Sequence, residues 1–573
     1  MHTVSDPCAG PRLLVGPVLR YVDASRATIW VETDRPCRVE VLGTTTPTWS
    51  VHGHHYALVE LDGLAEAGEH AYQVHLDGTP VWPEAGSPFP PSVIRTPAPD
   101  GTFRLAFGSC RRAAPFDPDA MRRFGADALV ALAEQMAARS PSTWPDALFL
   151  VGDQVYADLP SDALAGRLRA AHADADADHA AVADEIWDFE EYTWLYAETW
   201  TPAPVRWLLS TVPSCMLLDD HDLRDDWNTS VSWRRDVTGQ AWWHDRVVGA
   251  FGSYWVYQHL GNLCPEQLAT DETYAMVRSV DDDAERTRLL DELAWRSDAA
   301  PETIRWSFAR DFGNDGMRVR LIAVDTRCSR VLDPDRRAMV DEDEWDWVVS
   351  QASADGPAGA VDHLLVGTTL PLLLPHGIHH FEGWNEAVSE GAWGRWAARA
   401  AEWLRRLVDL EHWAAFRRSF DRVVELLARV VGGEQPPASV LVLSGDVHCS
   451  YLARARLSGV EHPGTAVHQL TMSPFRNPLH LPLRLANKVA EVRGVRWLAH
   501  RLARSAGVRD VAVDWDLDGG PWFDNGVMTV LIEGRSARAL VERADTVDDP
   551  AHDADAVGPR QVLRRTAEVD LTP

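Results

Sequence analysis

The feature that most constrains the fold of this chain is a series of short, continuously apolar stretches that each end in a polar turn. Six of them lie between residues 103 and 447, and they read FRLAFGSC, DALFLVGDQ, SCMLLDD, MRVRLIAVDTR, DHLLVGTTL and SVLVLSGDV. Stretches with helical spacing separate several of them. Apolar strands that alternate with helices predict an α/β (α+β) fold, in which helices cover both faces of a mostly parallel or mixed sheet.

Polar clusters lie at the ends of these predicted strands, where open α/β sheets collect their binding and catalytic groups. Four strand ends carry metal-competent groups: Cys110; Asp153, Tyr156 and Asp158; Asp219, Asp220, His221, Asp222, Asp225 and Asp226; Asp446 and His448. Carboxylates crowded at one sheet edge repel one another unless cations neutralise them. We therefore predict a metal centre, in which the soft donors favour iron or zinc and the oxygen donors favour calcium, magnesium or manganese.

Each of these motifs has an ordinary structural explanation when it is taken alone. Gly-Asp after a strand is usually a turn, DDHD can cap a helix, and a single cysteine is most often a small buried apolar residue. The four clusters, however, follow one another at successive strand ends. This joint pattern favours one shared site over four unrelated turns.

A different pattern precedes residue 99. Stretches such as RATIWVETD, CRVEVLG, HYALVELDGL and HAYQVHLDG predict short antiparallel strands with no helix among them. The proline-rich PEAGSPFPPSVIRTPAPDG has the composition of a linker. We expect a small antiparallel β-sandwich of the fibronectin or immunoglobulin type over residues 1–98 and a catalytic domain over residues 99–573.

The charge balance and the cysteine spacing exclude several classes of protein. The chain has 573 residues and a formal net charge of −30. Nucleic-acid backbones bind basic surfaces, so we expect no nucleic-acid partner. The seven scattered cysteines do not resemble a disulfide framework, and no apolar run is long enough for a transmembrane segment. The N-terminal residues show no signal-peptide or twin-arginine pattern, which favours a cytoplasmic protein.

In their order along the chain, GSC, GDQVY, DDHD, DTR and GDVH resemble the motif set of the alkaline phosphatase D (PhoD-like) family of calcineurin-like metallophosphoesterases. The resemblance covers about residues 100–540, and GDQVYAD and GDVHCSY are its most specific parts. It implies a four-layer αββα sandwich that follows the family's N-terminal domain. It also implies a binuclear or larger metal centre, with Fe³⁺ and Ca²⁺ expected and Zn²⁺, Mn²⁺ and Mg²⁺ as alternatives.

The resemblance implies a role for individual residues of the first motifs. Cys110, Asp153 and Tyr156 match the residues that hold the iron, and Asp153 would bridge to the second metal. Asp220 matches a ligand of that second metal. His221 matches the histidine that faces the phosphate and the leaving group.

The later motifs complete the set. Asp446 and His448 match the final pair of metal ligands, with aspartate in place of the first of two histidines. Arg327, in VDTR, matches an arginine that clamps or buttresses the anion. Asp225 stands where many relatives have asparagine, and we count it among the metal ligands. Arg111 directly follows the cysteine motif and is either a phosphate-binding residue at the mouth of the site or a solvent-facing charge.

The run LPLLLPHGIHHFEGWNEA contains three histidines within five residues, His376, His379 and His380. This spacing suggests a metal site. The flanking residues are typical of a loop over the pocket, and the resemblance places an acid-x-Trp pattern here that matches Glu382 and Trp384. We favour a substrate-facing wall over a third metal site, with ordinary loop packing as the alternative.

A basic, amphipathic segment at residues 481–507 stands out in this acidic chain, and it predicts a helical segment over about 480–507. A segment of this kind can contact a membrane surface as a peripheral element. The interpretation that we favour is that it folds back on the acidic body of the protein.

The patterns predict a metal centre, and the family resemblance implies a metal-dependent phosphoric ester hydrolase, a phosphatase or phosphodiesterase that uses a metal-activated water. His221 would protonate the leaving oxygen, and Arg327 with Arg111 would bind phosphoryl oxygens. The expected substrate is a small-molecule phosphate mono- or diester. The alternative is a non-catalytic module on the same scaffold that binds calcium or senses a phosphate ligand.

Overall fold

Ten short strands form the N-terminal domain of the computed structural model, which describes residues 10–99, 101–174, 177–314, 316–357, 359–460, 464–479, 484–485, 489–549 and 558–572. The strands are β1 Leu13–Val22, β2 Ala27–Thr33, β3 Arg38–Val41, β4 Thr44–Pro47, β5 Trp49–Val51, β6 His54–Leu61, β7 Glu69–Ala71, β8 Val74–Leu76, β9 Thr79–Trp82 and β10 Val93–Arg95. One antiparallel sheet has the order β1-β2-β6-β5 and another has the order β4-β3-β8-β9. Ile29, Val39 and Val59 belong to the apolar core of this domain. The predicted antiparallel β domain is confirmed, whereas the predicted linker contains β10, which pairs with β7.

The rest of the chain contains two larger sheets. The first has the order β13-β12-β11-β21-β22-β23 and the second has the order β14-β15-β16-β17-β19-β18-β20. Their strands are β11 Thr102–Gly108, β12 Ala147–Val151, β13 Ser214–Leu217, β14 Phe308–Asn314, β15 Met317–Val324, β16 His363–Thr368, β17 Ser439–Ser444, β18 Ser450–Leu457, β19 Ala466–Thr471, β20 Val513–Trp522, β21 Gly526–Glu533, β22 Ser536–Val547 and β23 Arg560–Asp570. The pairs β11-β12, β12-β13, β15-β16, β16-β17 and β17-β19 are parallel. All six strands predicted from the sequence are present.

The helices begin at residues that suit a helix N-terminus. Asp127, Asp188, Ser230 and Asp341 each accept a hydrogen bond from a backbone N–H of the first turn, which satisfies donors that the helix leaves unpaired. The helices are α1 Pro118–Phe124, α2 Ala128–Ala137, α3 Asp162–Ala171, α4 Ala177–Ala180, α5 Phe189–Trp200, α6 Ala203–Thr211, α7 Val231–Thr238, α8 Trp243–Ser253, α9 Pro265–Thr270, α10 Glu272–Ser279, α11 Asp283–Ala299, α12 Glu342–Ala352, α13 His376–Ser389, α14 Arg395–Leu407, α15 Arg417–Val431 and α16 Arg493–Ser505. Among the described residues, no helix combines the length and apolarity that a bilayer crossing requires.

Three apolar cores define four layers. Phe149 of the first sheet and Leu321 of the second share one core between the two sheets. Leu148 packs with α2, α5 and α6 on the outer face of the first sheet. Val440 packs with α12 and α15 on the outer face of the second sheet. The predicted αββα sandwich is therefore confirmed.

Buried polar contacts fix the N-terminal domain to helices of the larger domain that follows it. The fully buried Arg20 donates to the carbonyl oxygens of Tyr257 and Gln258, at 2.6 Å each. The imidazole of His54 lies between Glu32 of its own domain, at 3.0 Å, and Glu190 of α5, at 2.7 Å. The two domains are thus joined by charge-assisted hydrogen bonds as well as by apolar packing.

Helix α13 occupies the segment that the sequence analysis treated as a loop. Pro375 directly precedes it, and a proline at a helix start supplies a suitable φ without losing a helical hydrogen bond. The buried face of α13 includes His379, Glu382, Asn385 and Glu386. The sequence prediction was wrong here because this buried stripe is polar, so no apolar helical periodicity marks it.

Candidate metal centre

The residues predicted to hold metal ions lie just beyond the carboxyl ends of strands in both large sheets. In the first sheet, Cys110 follows β11, Asp153 follows β12 and Asp220 follows β13. In the second sheet, Asp446 and His448 follow β17. Because neighbouring strands in each set are parallel, their carboxyl ends meet at one edge, and the two packed sheets bring these edges together.

Four of these residues adopt a left-handed backbone conformation. The φ angles of Cys110, Asp153, Asp446 and His448 are 57°, 53°, 64° and 50°. This conformation is uncommon for residues other than glycine, and such residues gather at functional sites. The surrounding structure holds them there: the Cys110 amide donates to the Gly152 carbonyl at 3.4 Å, and the Asp446 amide donates to the Ser109 hydroxyl at 3.0 Å.

Gly152 allows two of the strand ends to approach each other. Its φ is 86°, and a Cβ at this position would lie 2.6 Å from Cβ of Asp219. Only glycine therefore fits between the ends of β12 and β13 at their observed separation.

The donor atoms form two groups that share one carboxylate. Within each group all donor atoms lie within 4.8 Å of one another; one group is Cys110, Asp153 and His448, and the other is Asp153, Asp219, Asp220 and Asp446. The Cys110 Sγ atom lies 3.3 Å from Oδ2 of Asp153. The chain thus has a soft group with a thiol and an imidazole and a hard group made only of carboxylates, with Asp153 between them.

The electrostatics of the two groups suit cations. Oδ1 of Asp153, Oδ2 of Asp219 and Oδ1 of Asp220 are buried and receive no hydrogen bond from the described residues. Burial and the neighbouring carboxylates raise the pKa of Asp153 well above its usual range, although His221 opposes this. Burial is also the main cause that raises the pKa of the Cys110 thiol. Bound metal ions would reverse these effects by supplying the missing positive charge, so the residues present fit a metal centre.

Tyr156 lies at the margin of the soft group. Its hydroxyl is 3.4 Å from Oδ2 of Asp153 and accepts a hydrogen bond from Nδ2 of Asn477 at 3.1 Å. Burial raises the pKa of this phenol well above its usual range. Sequence reasoning missed Asn477, although it follows the carboxyl end of β19 and that position could have identified it.

His221 is oriented by Asp158. Its Nδ1 atom lies 2.9 Å from Oδ1 of Asp158, and its ring packs on Tyr156 with centroids 4.4 Å apart. Burial disfavours the imidazolium, but the Asp158 carboxylate outweighs it and raises the pKa of His221 well above its usual range. The arrangement leaves Nε2 as the ring nitrogen that can act on a substrate.

The guanidinium of Arg327 is fully buried and contacts three carboxylates. Its Nε atom donates to Asp219, Nη1 donates to Glu411 at 2.7 Å, and Nη2 lies 3.1 Å from Oδ1 of Asp220. A second arginine, Arg330, binds the other oxygen of Glu411 at 2.9 Å. In this geometry the Arg327 guanidinium buttresses acidic residues of the hard group.

His412 is a further residue beside the hard group that sequence reasoning missed. Its Nδ1 atom lies 2.6 Å from Oε1 of Glu382, and its Nε2 atom lies 3.7 Å from Oδ2 of Asp446. Although burial opposes it, Glu382 raises the pKa of His412 to about 9. The acid-x-Trp spacing that drew attention to Glu382 also occurs at Glu411 and Trp413, which flank this histidine.

The structure places two predicted site residues outside the donor groups. Arg111 is buried and pairs with Asp127 at 2.8 Å, and it also donates to the Thr199 carbonyl at 2.8 Å. The side chain of Asp225 is 63% exposed, with Oδ1 3.7 Å from Nε2 of His221. Neither arrangement could be predicted from the sequence, because it depends on how distant segments pack. Arg111 turns toward Asp127, the N-cap residue of α2, and the segment after Asp220 leaves the side chain of Asp225 exposed.

The three histidines of α13 do not join the donor groups. His376 stacks on Trp515 with centroids 4.4 Å apart, and His379 packs edge-on against the same ring at 4.9 Å. His380 packs against His500 of α16. Glu382 of this helix contacts His412, which lies beside Asp446. Helix α13 therefore positions a residue next to the donor groups without supplying a donor itself.

The packed sheets, the flanking helices and the thiol, carboxylate and imidazole groups at one edge define a two-sheet α/β protein with a candidate metal centre. The family model for PhoD-like phosphatases matches residues 123–488, which is more than half of the chain. The chain therefore belongs to the PhoD-like phosphatase family, as its motifs predicted. A second family model, a domain of unknown function named DUF7800, matches residues 10–94 in the N-terminal domain.

Among solved structures, one described as "Structure of PhoD" aligns over 96% of this chain and 91% of its own, with 12% identity and a TM-score of 0.55. This likeness supports the fold. A maltogenic amylase from S. marinus aligns over 97% of this chain and 82% of its own with 8% identity, but its TM-score of 0.15 is too low to inform the fold. No curated protein matches the chain.

Proposed function

We propose that this chain is a metal-dependent hydrolase of small-molecule phosphate mono- or diesters that binds two metal ions at the shared Asp153. The observation that carries the proposal is the pair of donor groups that meet at this carboxylate. When bound there, two ions would supply an activated water and offset negative charge at phosphorus. Membership of the PhoD-like phosphatase family supports the same reaction class.

The chemistry of the donors supports Fe³⁺ in the soft group and Ca²⁺ in the hard group. Cys110, His448 and the adjacent phenol of Tyr156 are donors that iron accepts. The second group offers only carboxylate oxygens, which calcium prefers. Zn²⁺, Mn²⁺ and Mg²⁺ are the alternatives that a metal analysis would distinguish.

Residues around the donor groups donate a proton to the substrate or hold the donor residues in position. His221 donates a proton from Nε2 to the leaving oxygen, and Asp158 holds the opposite ring nitrogen so that Nε2 faces the substrate. Arg327 keeps Asp219 and Asp220 in place. Glu382 orients His412 toward Asp446 in the same manner as Asp158 orients His221.

The proposal is tested by removing metal from the purified full-length chain and restoring it while turnover is measured. We expect chelation to abolish hydrolysis of chromogenic phosphate mono- and diesters, and iron together with calcium to restore it. Asp153→Asn should stay inactive after reloading, whereas Asp119→Asn, which changes an exposed carboxylate outside both donor groups, should be restored like the unaltered chain.

Two results would overturn the proposal. One is full turnover by chelated protein whose metal content has been shown to be zero. The other is absence of turnover across the ester panel after reloading with each candidate metal, which would favour a module that binds calcium or senses phosphate.

A further inference from the structure

Helix α14 directs an apolar stripe toward solvent. Trp396, Trp403 and Leu407 recur at helical spacing, and the two tryptophans are 69% and 65% exposed. The side that faces the protein instead contains Ala401 and Arg405. A surface helix ordinarily buries its large apolar residues, so this orientation indicates that something else covers the stripe.

Helix α16 has the same arrangement. Trp497 and Leu498 are 58% and 62% exposed, and Val492 just before the helix is also exposed. The buried positions of the helix are Ala499 and Ala503. Two separate helices thus bury alanine and expose tryptophan and leucine.

The two helices belong to one surface. Both pack on α13. Ala401 of α14, Val388 of α13 and Ala506 after α16 share one small apolar cluster. The indole N–H of Trp393, just before α14, donates to the carbonyl of Ser505 at the end of α16 at 3.4 Å. We call the exposed residues of α14 and α16 the Trp–Arg surface.

The charge of this surface is opposite to that of the whole chain. Helix α14 contains four arginines and one glutamate, and α16 contains four arginines and no acidic residue, in a chain of net charge −30. Arg405 is buried, and Arg406, Arg496 and Arg504 pair with carboxylates, so the excess positive charge of the surface comes from the other arginines. Guanidinium groups lie over the exposed rings: Arg399 is 5.0 Å from the Trp396 centroid, and Arg501 is 4.9 Å from the Trp497 centroid. Within the described part of the chain, neither Arg399 nor Arg501 has a carboxylate partner.

We infer that the Trp–Arg surface binds the surface of an anionic lipid bilayer. Exposed tryptophan and leucine enter the headgroup region, and arginine beside them pairs with anionic lipid phosphates. A second copy of this chain is a poorer occupant, because self-association would place like charges against each other. The described part of 481–507 packs on α13, and His500 and Arg504 pair with Asp510, in line with the favoured interpretation of a segment folded on the acidic body. Its outer face nevertheless stays exposed. Residues 481–483 and 486–488 lie outside the described residues.

Helix α13 connects this surface to the candidate metal centre. Helix α13 packs against both helices and, through Glu382, holds His412 beside Asp446. The acidic body would be repelled by an anionic bilayer, whereas the Trp–Arg surface would be attracted. Binding would therefore orient the molecule with α13 toward the membrane.

The test is co-sedimentation of the full chain with vesicles. Vesicles of equal parts phosphatidylglycerol and phosphatidylcholine should bind the protein at low salt, vesicles of phosphatidylcholine alone should bind it at least about tenfold more weakly, and high salt should weaken the binding. The double variants Trp396→Ser/Trp403→Ser and Trp497→Ser/Leu498→Ser should each lose about tenfold in partition. The double variant Arg399→Gln/Arg501→Gln should bind the anionic vesicles more weakly, whereas its weak binding to phosphatidylcholine vesicles should not change.

Matched controls separate this surface from the rest of the molecule. Leu42→Ser and Arg122→Gln change exposed side chains on other parts of the chain and should leave vesicle binding unchanged. Asp153→Asn should also bind vesicles normally, so that a failure of the metal proposal would not be confused with a failure of this one. All of these positions except Asp153 are exposed, and the variants at the exposed positions should keep the thermal unfolding midpoint of the unaltered chain.

Equal partition to neutral and anionic vesicles, or unchanged partition of both tryptophan variants, would overturn the inference. It would also be overturned if the chain sediments as a dimer without lipid, the tryptophan variants are monomeric and no variant binds vesicles. In that case the surface would be an interface between two copies.

Discussion

At the residue scale, two histidines beside the metal donors are oriented in the same way, by a carboxylate. His221 is held by Asp158 and His412 is held by Glu382, in each case through Nδ1. A carboxylate on one ring nitrogen fixes the tautomer and the ring orientation and leaves Nε2 for the reaction or for a ligand. The two pairs lie near different donor atoms, so their substitution should have different effects.

We expect His221→Gln to lower kcat by about 10²–10³-fold for alkyl phosphates, whose leaving oxygen needs a proton, and much less for nitrophenyl phosphates. Metal content should be unchanged, because His221 belongs to neither donor group. The measurement is kcat for both ester types together with elemental analysis. An equal loss for both esters would show that His221 does not act as the acid.

Arg327 links the donor carboxylates to the core of the catalytic domain. Arg327→Met removes the positive charge from a fully buried position and leaves Asp219 and Glu411 without their main partner. We expect a loss of about 3–5 kcal/mol in the free energy of unfolding of the metal-free chain. Chemical denaturation of metal-free protein measures it, and Arg122→Gln, an exposed arginine, serves as the control. A loss below about 1 kcal/mol would contradict the buttress role.

At the element scale, the strands that carry the site were predictable and their supports were not. FRLAFGSC, DALFLVGDQ and SVLVLSGDV are mostly apolar on both faces. Such short runs are typical of a strand in a sheet that is covered on both sides. Glu411, His412 and Asn477 lie on connecting segments, where no periodicity indicates direction. Their placement depends on how α13, α15 and β19 pack, which the sequence alone does not specify.

Helix α13 shows why hydrophobic periodicity alone does not predict which face of a helix is buried. Its buried face includes His379, Glu382 and Asn385, so the side that packs inward is as polar as an exposed side. Helix α14 shows the opposite case, because its apolar stripe faces solvent. Periodicity identifies a helix face, but the partner of that face decides whether it is buried.

The close approach of β12 and β13 gives a prediction at this scale. Gly152→Ala should destabilise the chain by about 1–3 kcal/mol and lower metal content, because the residue has a φ of 86° and a new Cβ would meet Asp219. Thermal unfolding and elemental analysis measure the two effects. Gly166→Ala, at a helical position of α3 with open space around it, should be neutral or slightly stabilising. Similar effects for both variants would contradict the packing argument.

At the scale of the whole molecule, the docking of the N-terminal domain depends on the charge of His54. Burial alone would lower the pKa of His54, but its hydrogen bonds to Glu190 and Glu32 raise it to about 9. In the unfolded chain the pKa is near 6.5. The stabilisation is therefore fully present below about pH 6.5 and is lost as the pH rises through 9.

We expect the unfolding midpoint to fall between pH 7 and pH 10 by an amount equivalent to about 2 kcal/mol, after allowance for solvent screening. His54→Gln should flatten this part of the profile, since the neutral amide does not titrate. Thermal unfolding of both proteins across this pH range makes the comparison. Parallel profiles for the two proteins would show that His54 does not contribute.

The central claim is that one carboxylate joins two metal ions, and metal stoichiometry tests it most directly. Elemental analysis of protein purified without chelators should give two ions per chain. Asp153→Asn should retain neither in full, Cys110→Ser should lose the iron and keep the calcium, and Asp225→Asn should keep both. A full complement of two ions in Asp153→Asn would contradict the account.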